Sequence, residues 1–183
     1  MGVREIMHRL PTVFLDRDGV INRSVVRNGK PYPPASLEEF EILPGAFNSL
    51  KRIAAAGYLL IGVTNQPDVA RGTQTRKAVE SINARIMEQL PVTEIFTCYH
   101  DDKDDCQCRK PKPGLILQGA EKYGADLTKS WLVGDRWKDI SAGQAVGLRT
   151  VFVDYLYNET YSGPSADFII EDMAALAAII LHS

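Results

Sequence analysis

Phe14-Leu15-Asp16-Arg17-Asp18-Gly19-Val20-Ile21-Asn22 is the most informative segment of this chain. Two acidic residues, Asp16 and Asp18, follow directly after an apolar run and precede a glycine. Carboxylates this close together at the end of a strand repel each other and resist burial, so the arrangement is costly unless a ligand neutralises them. Mg²⁺ suits such a site because it typically binds through one or two carboxylates and keeps several waters. The segment therefore predicts a strand that ends in a magnesium site.

Short apolar runs alternate with segments of helical periodicity along the rest of the chain, which is typical of a parallel sheet wrapped by helices. The predicted strands cover residues 12–15, 58–63, 94–99, 131–133, 150–153 and 168–170. One predicted helix has Phe47, Leu50 and Ile53 on a shared face and ends at Gly57, and others cover 79–90, 113–124, 139–146 and 172–181. We predict an α/β fold, a three-layer Rossmann-like parallel sheet of about six strands with helices on both faces, in one domain spanning residues 1–183.

The composition restricts the classes of partner. The chain has 183 residues, 45% of them apolar and 24% charged, and a formal net charge of -2. Because positive and negative charges nearly balance, the chain as a whole has no electrostatic attraction to nucleic acid or to an anionic membrane. The apolar run near the C-terminus is interrupted by Glu171 and Asp172, and the segment from Met1 to Glu5 carries an acid and no apolar signal core. We expect a cytoplasmic monomer that binds neither nucleic acid nor membrane.

Three further motifs follow predicted strands or their loops. Asp135, in Leu132-Val133-Gly134-Asp135, completes the metal site if its strand adjoins the first, and Asp139 follows one helical turn later to hold the site or cap the helix. Thr64 heads Thr64-Asn65-Gln66, where a hydroxyl and backbone N–H groups can bind phosphate oxygens. Lys110 supplies a compact positive charge. Each motif also has an ordinary explanation as turn chemistry or a solvated side chain, but their order at successive strand ends favours a functional site.

These four motifs, in this order, resemble those of the haloacid dehalogenase superfamily of phosphatases, over about residues 13–139. Within it, the segments 16–22, Ala70-Arg71-Gly72 and Cys108-Arg109-Lys110-Pro111-Lys112-Pro113-Gly114 are similar to the D-glycero-D-manno-heptose 1,7-bisphosphate phosphatases and the related histidinol-phosphate phosphatases. The chain departs from that pattern at Pro67-Asp68, where a Ser-Gly pair is common, and at Arg136, where a lysine is frequent.

The resemblance implies a mechanism and a substrate. Asp16 would attack phosphorus to form an aspartyl-phosphate, and Asp18 would protonate the leaving oxygen and later activate water. Magnesium would bind the Asp16 carboxylate, the Asp18 backbone carbonyl and Asp135, while Thr64 and Lys110 would stabilise the phosphoryl oxygens. The implied reaction is removal of the 7-phosphate from heptose 1,7-bisphosphate, a precursor of the lipopolysaccharide core, with histidinol phosphate or another sugar phosphate as the alternative substrate. The resemblance also implies a set of substrate-binding residues: Ser24, Val25, Val26, Arg27, Asn65, Gln66, Arg109 and Arg136.

The three cysteines cluster with a histidine in one short segment. Cys98, His100, Cys106 and Cys108 supply three thiolates and an imidazole, a complete tetrahedral set for Zn²⁺ with no open position. Buried cysteines without a ligand are the alternative, but the polar residues 101–105 offer no core to bury them. We predict a structural zinc that fixes the loop before Lys110. A zinc loop could instead mark a nucleic-acid-binding module, against which stand the net charge and the four acids within residues 101–105.

The spacing of the motifs predicts an enzyme without a separate cap domain. The gap from Asn22 to Val63 and the gap from Gln66 to Arg109 are both too short for one. We expect the irregular stretch 23–43 and the zinc loop to form the walls of an open cleft. Several basic residues fall on or near these walls: Arg23, Arg27, Lys30, Arg71 and Arg109. Arg109 is predicted to bind the phosphate that stays on the sugar, because its planar guanidinium suits a phosphate.

Overall fold

A parallel sheet of six strands runs through the computed structural model, which describes residues 9–158 and 160–183. The features interpreted at Met1 to Glu5 lie outside these residues. The strands of the described chain are β1 (Thr12–Leu15), β2 (Val25–Arg27), β3 (Lys30–Tyr32), β4 (Leu59–Asn65), β5 (Glu94–Cys98), β6 (Trp131–Gly134), β7 (Arg149–Val153) and β8 (Phe168–Ile170). The main sheet has the order β5-β4-β1-β6-β7-β8, and β2 pairs with β3 in a separate antiparallel hairpin.

Helices cover both faces of the sheet. They are α1 (Ala46–Ala55), α2 (Arg76–Gln89), α3 (Gly114–Tyr123), α4 (Trp137–Gln144) and α5 (Leu176–His182). Val13 and Leu15 of β1 belong to a buried cluster that includes residues of α1, α2 and α5, whereas Phe14 belongs to a second cluster with residues of α3 and α4. A strand covered on both faces needs apolar residues in succession, which explains the continuous run in β1. The predicted three-layer α/β fold is confirmed.

The structure corrects three details of the predicted elements. The stretch 23–43 was expected to be irregular, but it contains the β2–β3 hairpin. Phe47 was expected on the buried face of α1, but it is exposed, while Leu50 and Ile53 are buried. The last predicted helix is divided, because a 3-10 turn over Met173–Ala175 precedes α5. Helix α3 ends as predicted at Gly124, which adopts a left-handed conformation.

Neither gap between the motifs holds a separate domain in the described residues. The first contains the hairpin and α1, and the second contains α2, β5 and the predicted zinc loop, residues 98–108, with its 3-10 turn over Asp102–Asp104. None of the helices within residues 9–158 and 160–183 has the length and apolar character needed to cross a bilayer. The expectations of a cytoplasmic location and of a monomer stay predictions.

Candidate active site

The residues that follow three neighbouring strands meet at one edge of the sheet. Leu15, the last residue of β1, is in register with Gly62 of β4 and Val133 of β6. Because the strands are parallel, their carboxyl ends lie at the same edge, where open α/β sheets bind ligands. Asp16 and Asp135 follow β1 and β6 directly. The predicted adjacency of their two strands is confirmed.

Three buried carboxylates form a cluster at this edge. Oxygens of Asp16, Asp135 and Asp139 all lie within 4.8 Å of one another. The ammonium of Lys110 lies between two of them, 2.6 Å from Asp16 Oδ1 and 2.6 Å from Asp139 Oδ1, and it donates to the Val63 carbonyl at 2.7 Å. Lys110 itself is buried. The site therefore holds a fixed positive charge directly beside the carboxylate predicted to be the nucleophile.

The carboxylates outnumber the ammonium that they surround, and their pKa values reflect this. Burial raises the pKa of Asp16 to about 7, against the opposing effect of Lys110, and the neighbouring Asp139 and Asp18 raise it further. Burial, together with the charges of Asp16 and Asp139, also raises the pKa of Asp135 well above its usual value. Burial alone would lower the pKa of Lys110, but Asp139 and Asp16 outweigh it and raise that pKa.

The cluster fits a divalent cation by charge and by donor type. Asp135 Oδ1 is buried and has no hydrogen-bond partner among the described residues. Gly19, at φ 86°, passes so close to Asp135 that a Cβ there would collide with the carboxylate. Hard oxygen ligands in this number are those that Mg²⁺ prefers. The residues present therefore suit the predicted magnesium, and the structure places Asp139 among them.

Asp18 turns its carboxylate toward hydrogen-bond donors of the protein. Arg17 Nη2 lies 3.0 and 2.9 Å from its two oxygens, Asn22 Nδ2 donates at 2.9 Å and Gln66 Nε2 at 2.7 Å. Arg17 is fully buried and also donates to Asn83 Oδ1 of α2 at 3.1 Å. These contacts fix the position of the Asp18 carboxylate. Arg17 was not predicted as a site residue. Its position between Asp16 and Asp18, directly after a buried strand, was a usable signal.

The end of β4 holds the loop that carries Lys110. The Asn65 amide binds both backbone groups of Lys110, donating to its carbonyl at 3.0 Å and accepting from its N–H at 3.1 Å. Gln66 is fully buried and donates to Thr64 Oγ1 at 2.9 Å as well as to Asp18. The roles of Asn65 and Gln66 toward substrate stay predictions, since their side chains already have protein partners that position Lys110 and Asp18.

The predicted zinc ligands converge. Cys108 Sγ lies 3.2 Å from Cys98 Sγ, 3.4 Å from Cys106 Sγ and 3.3 Å from His100 Nδ1. Cys98 Sγ lies 3.6 Å from His100 Nδ1 and 3.7 Å from Cys106 Sγ. With metal–ligand bonds of about 2.0 to 2.3 Å, a tetrahedral site has ligand separations of this order. The geometry is compatible with zinc.

A cleft with a volume of about 320 Å³ opens from the carboxylate cluster. Its lining includes the hairpin and its continuation, from Lys30 to Pro33, and Asp102 and Arg109 of the predicted zinc loop. Its polar lining includes Ser24, Thr64, Asn65, Arg109 and Arg136 from the predicted set. Val25, Val26 and Arg27 are not among the described residues that line it. Pro67 and Asp68, the departures from the family pattern, do line it.

Tyr157 is a further residue that our sequence analysis missed. It lies in the connection between β7 and β8, and its phenol faces the Asp135 carboxylate and the Ser24 hydroxyl. Burial and the charge of Asp135 raise the pKa of Tyr157, so the phenol stays protonated and available as a donor. A tyrosine in the long connection between β7 and the edge strand β8 carries no pattern that would have indicated this contact.

Comparisons with known proteins agree with this geometry. A family model described as HAD-hydrolase-like matches residues 107–175. The chain is 35% identical to D-glycero-beta-D-manno-heptose-1,7-bisphosphate 7-phosphatase of Pseudomonas aeruginosa, over 93% of this chain and 97% of that protein. It is also 35% identical to D-glycero-alpha-D-manno-heptose-1,7-bisphosphate 7-phosphatase of Photorhabdus laumondii, over 80% of this chain and 83% of that protein.

A solved structure extends the comparison to the fold. The crystal structure of D,D-heptose 1,7-bisphosphate phosphatase from B. bronchiseptica, complexed with magnesium and phosphate, superposes with a TM-score of 0.80 and 28% identity. The match covers 94% of this chain and 99% of that one. A parallel sheet that gathers Asp16, Asp135 and Lys110 at its carboxyl edge defines a phosphoryl-transfer enzyme of haloacid dehalogenase type. The chain belongs to the haloacid dehalogenase-like hydrolases, in the family of phosphatases that these relatives form. This finding supports the phosphatase prediction over the nucleic-acid-binding module.

Proposed function

We propose that this enzyme removes the 7-phosphate from D-glycero-D-manno-heptose 1,7-bisphosphate in a magnesium-dependent reaction. The main support for the proposal is the ion pairing of Lys110 with Asp16 and Asp139. It places a buried positive charge beside a buried carboxylate at the base of the cleft. Phosphoryl transfer needs positioning and charge neutralisation above all. The names of the full-length relatives support the choice of substrate.

Two residues of the β1 motif would carry the covalent chemistry. The Asp16 carboxylate attacks phosphorus, the bond from phosphorus to the sugar oxygen breaks, and Asp18 gives its proton to that oxygen. Asp18 then takes a proton from water, which attacks phosphorus and releases inorganic phosphate, so that the Asp16 carboxylate is restored. The hydrogen bonds from Arg17, Asn22 and Gln66 position the Asp18 carboxylate for these proton transfers.

Lys110 and Thr64 would stabilise the charge on the transferring group. Lys110 is fixed by its ion pairs and by the Asn65 clamp, so little reorganisation is needed as charge develops. Bound magnesium would neutralise the phosphoryl oxygens and the carboxylates of Asp16, Asp135 and Asp139. We also propose a structural zinc on Cys98, His100, Cys106 and Cys108, which would hold the loop that ends in Arg109 and Lys110.

The basic lining of the cleft favours a bisphosphate over histidinol phosphate. Lys30, Arg71, Arg109, Arg136 and Lys138 all line the cleft, although the chain as a whole has a net charge of -2. A second phosphate would use such a concentration of basic side chains, whereas the imidazole and ammonium of histidinol phosphate would not.

Phosphorus NMR of the reaction with each anomer of heptose 1,7-bisphosphate tests the proposal. With Mg²⁺ present, we expect the 7-phosphate signal to disappear and the 1-phosphate signal to remain. Loss of the 1-phosphate first, or no loss of either with both anomers, would contradict the proposed function. The ratio of the rates for the two anomers shows which anomer this enzyme prefers. The relatives are named for different anomers.

A further inference from the structure

Three basic side chains from different parts of the fold meet at one carboxylate, that of Asp102. Arg109 donates to it through Nε at 2.8 Å and through Nη2 at 3.3 Å. Lys138, in the first turn of α4, places Nζ 3.4 Å from Asp102 Oδ1, and Arg71 places Nη2 3.9 Å from Asp102 Oδ2. All four residues line the cleft or its entrance. The carboxylate therefore stands at the point where these three cations converge.

Asp102 is held differently from the cations that surround it. Its backbone lies in the 3-10 turn of the zinc loop, where its N–H donates to Asp101 Oδ1 at 2.8 Å. Its side chain is 63% exposed, whereas the Arg109 side chain is 11% exposed. An exposed aspartate side chain can rotate into water at little cost, but a packed guanidinium stays where it is. An incoming anion would therefore displace Asp102 and leave the Arg109 guanidinium in place.

Asp102 partly neutralises the three cations around it. This affects only an anion that binds at those cations. A phosphate dianion carries more charge than a carboxylate, and its oxygens suit a guanidinium flanked by an ammonium. The predicted nucleophile, Asp16, belongs to the separate buried cluster around Lys110. A substrate with a single phosphate at that cluster would leave the ion pairs of Asp102 intact.

We propose that Asp102 is a specificity-determining residue whose carboxylate occupies the position of the non-reacting phosphate of a sugar bisphosphate and is displaced when that phosphate binds. This inference rests on the proposed function, because it assumes a substrate with two phosphates. Asp102 weakens the binding of the second phosphate in both substrate and product, and so assists release of the product.

Kinetics of Asp102→Asn on two matched substrates test the inference. Heptose 1,7-bisphosphate and heptose 7-phosphate differ only in the non-reacting phosphate. The control is Asp105→Asn, which removes the same charge from the same loop at a residue that pairs with Lys112. Asp105 has φ 42°, a conformation that asparagine tolerates, so the control adds no strain.

For Asp102→Asn we expect KM for the bisphosphate to fall about threefold to tenfold at low salt, with KM for the monophosphate unchanged. The inhibition constant of heptose 1-phosphate, the product, should fall with it. The difference from wild type should shrink in about 0.5 M salt because exposed charges are then screened. Asp105→Asn should match wild type on both substrates.

Two results for Asp102→Asn would contradict the inference. A rise in KM for the bisphosphate would show that Asp102 orients Arg109 instead of competing with phosphate, and it would overturn the inference. An unchanged ratio of the two KM values would overturn it as well. In either case a wild-type enzyme that hydrolyses the bisphosphate leaves the proposed function intact. A wild-type enzyme that fails to hydrolyse the bisphosphate overturns both.

Discussion

The side chains at the sheet edge have two kinds of role. Some carry the charges of the site, and others fix the position of the charged residues. Lys110 and Asp16 carry the opposite charges of the site, while Asn65 fixes the Lys110 backbone by two hydrogen bonds. Arg17 is fully buried and fixes Asp18. Substitutions in the two groups should therefore differ in their effects on turnover and on stability.

The first prediction concerns the two acids of the β1 motif. Asp16→Asn removes the nucleophile and Asp18→Asn removes the acid and base, so each should nearly abolish phosphate release. Neither change alters side-chain volume appreciably, and circular dichroism should show an intact fold. Hydrolysis by the Asp16→Asn variant at close to the wild-type rate would rule out the covalent route.

The second prediction separates Arg109 from Lys110. Arg109→Ala should weaken capture of a bisphosphate by about 1.5 to 3 kcal/mol, the value of lost charge-assisted hydrogen bonds, with less effect on a monophosphate. Lys110→Ala should depress turnover of both, because the charge that it stabilises develops in either transition state. The measurement is the ratio of kcat/KM for bisphosphate over monophosphate. An unchanged ratio in Arg109→Ala would remove the main physical support for a bisphosphate substrate.

The third prediction concerns Arg17. Replacing it with methionine removes the charged donor to the Asp18 carboxylate, which keeps only Asn22 and Gln66, and removes the donor to the buried Asn83 amide oxygen. We expect the free energy of unfolding to fall by about 3 kcal/mol, and turnover to fall with it. Urea unfolding measures the first effect. Arg76→Met, at an exposed arginine that pairs with Glu80, is the matched control and should change stability little.

Among the structural elements, the zinc loop should behave as one unit. The fourth prediction is that freshly purified protein carries one tightly bound zinc, and that Cys106→Ser or Cys108→Ser lowers both the melting temperature and kcat/KM. The cause in both cases is loss of the geometry that places Arg109 and Lys110. Elemental analysis without zinc, on protein never exposed to a chelator, would contradict the structural role.

The strands of the main sheet could be predicted from the sequence to within about two residues, because each is a short apolar run bounded by polar residues. The hairpin could not, since the prolines at 31, 33 and 34 indicated irregular structure. Asn28-Gly29 was the missed signal: both residues have positive φ, 52° and 75°, which a tight hairpin turn requires. Pro31 is compatible with β3 because this short strand has a free edge in the two-stranded hairpin.

In the molecule as a whole, the order of the motifs predicted that Asp16, Asp135 and Lys110 lie close together. It did not predict which other side chains contact the site. Asp16, Asp135 and Lys110 come together because parallel strands end at one edge. The contact of Arg17 with Asn83 and that of Tyr157 with Asp135 depend on packing between distant segments, which no local pattern shows. The exposure of Phe47 has the same cause, because periodicity shows a face of the helix without showing how much of it the neighbours cover.

We propose that this whole arrangement serves a magnesium-dependent phosphatase that acts on a sugar bisphosphate. Phosphate release from a panel of sugar bisphosphates, the matching monophosphates and histidinol phosphate, with Mg²⁺ and with chelator, tests it most directly. We predict the highest kcat/KM for heptose 1,7-bisphosphate and loss of activity when Mg²⁺ is removed. A higher kcat/KM for histidinol phosphate, or release that persists without a divalent cation, would contradict the claim.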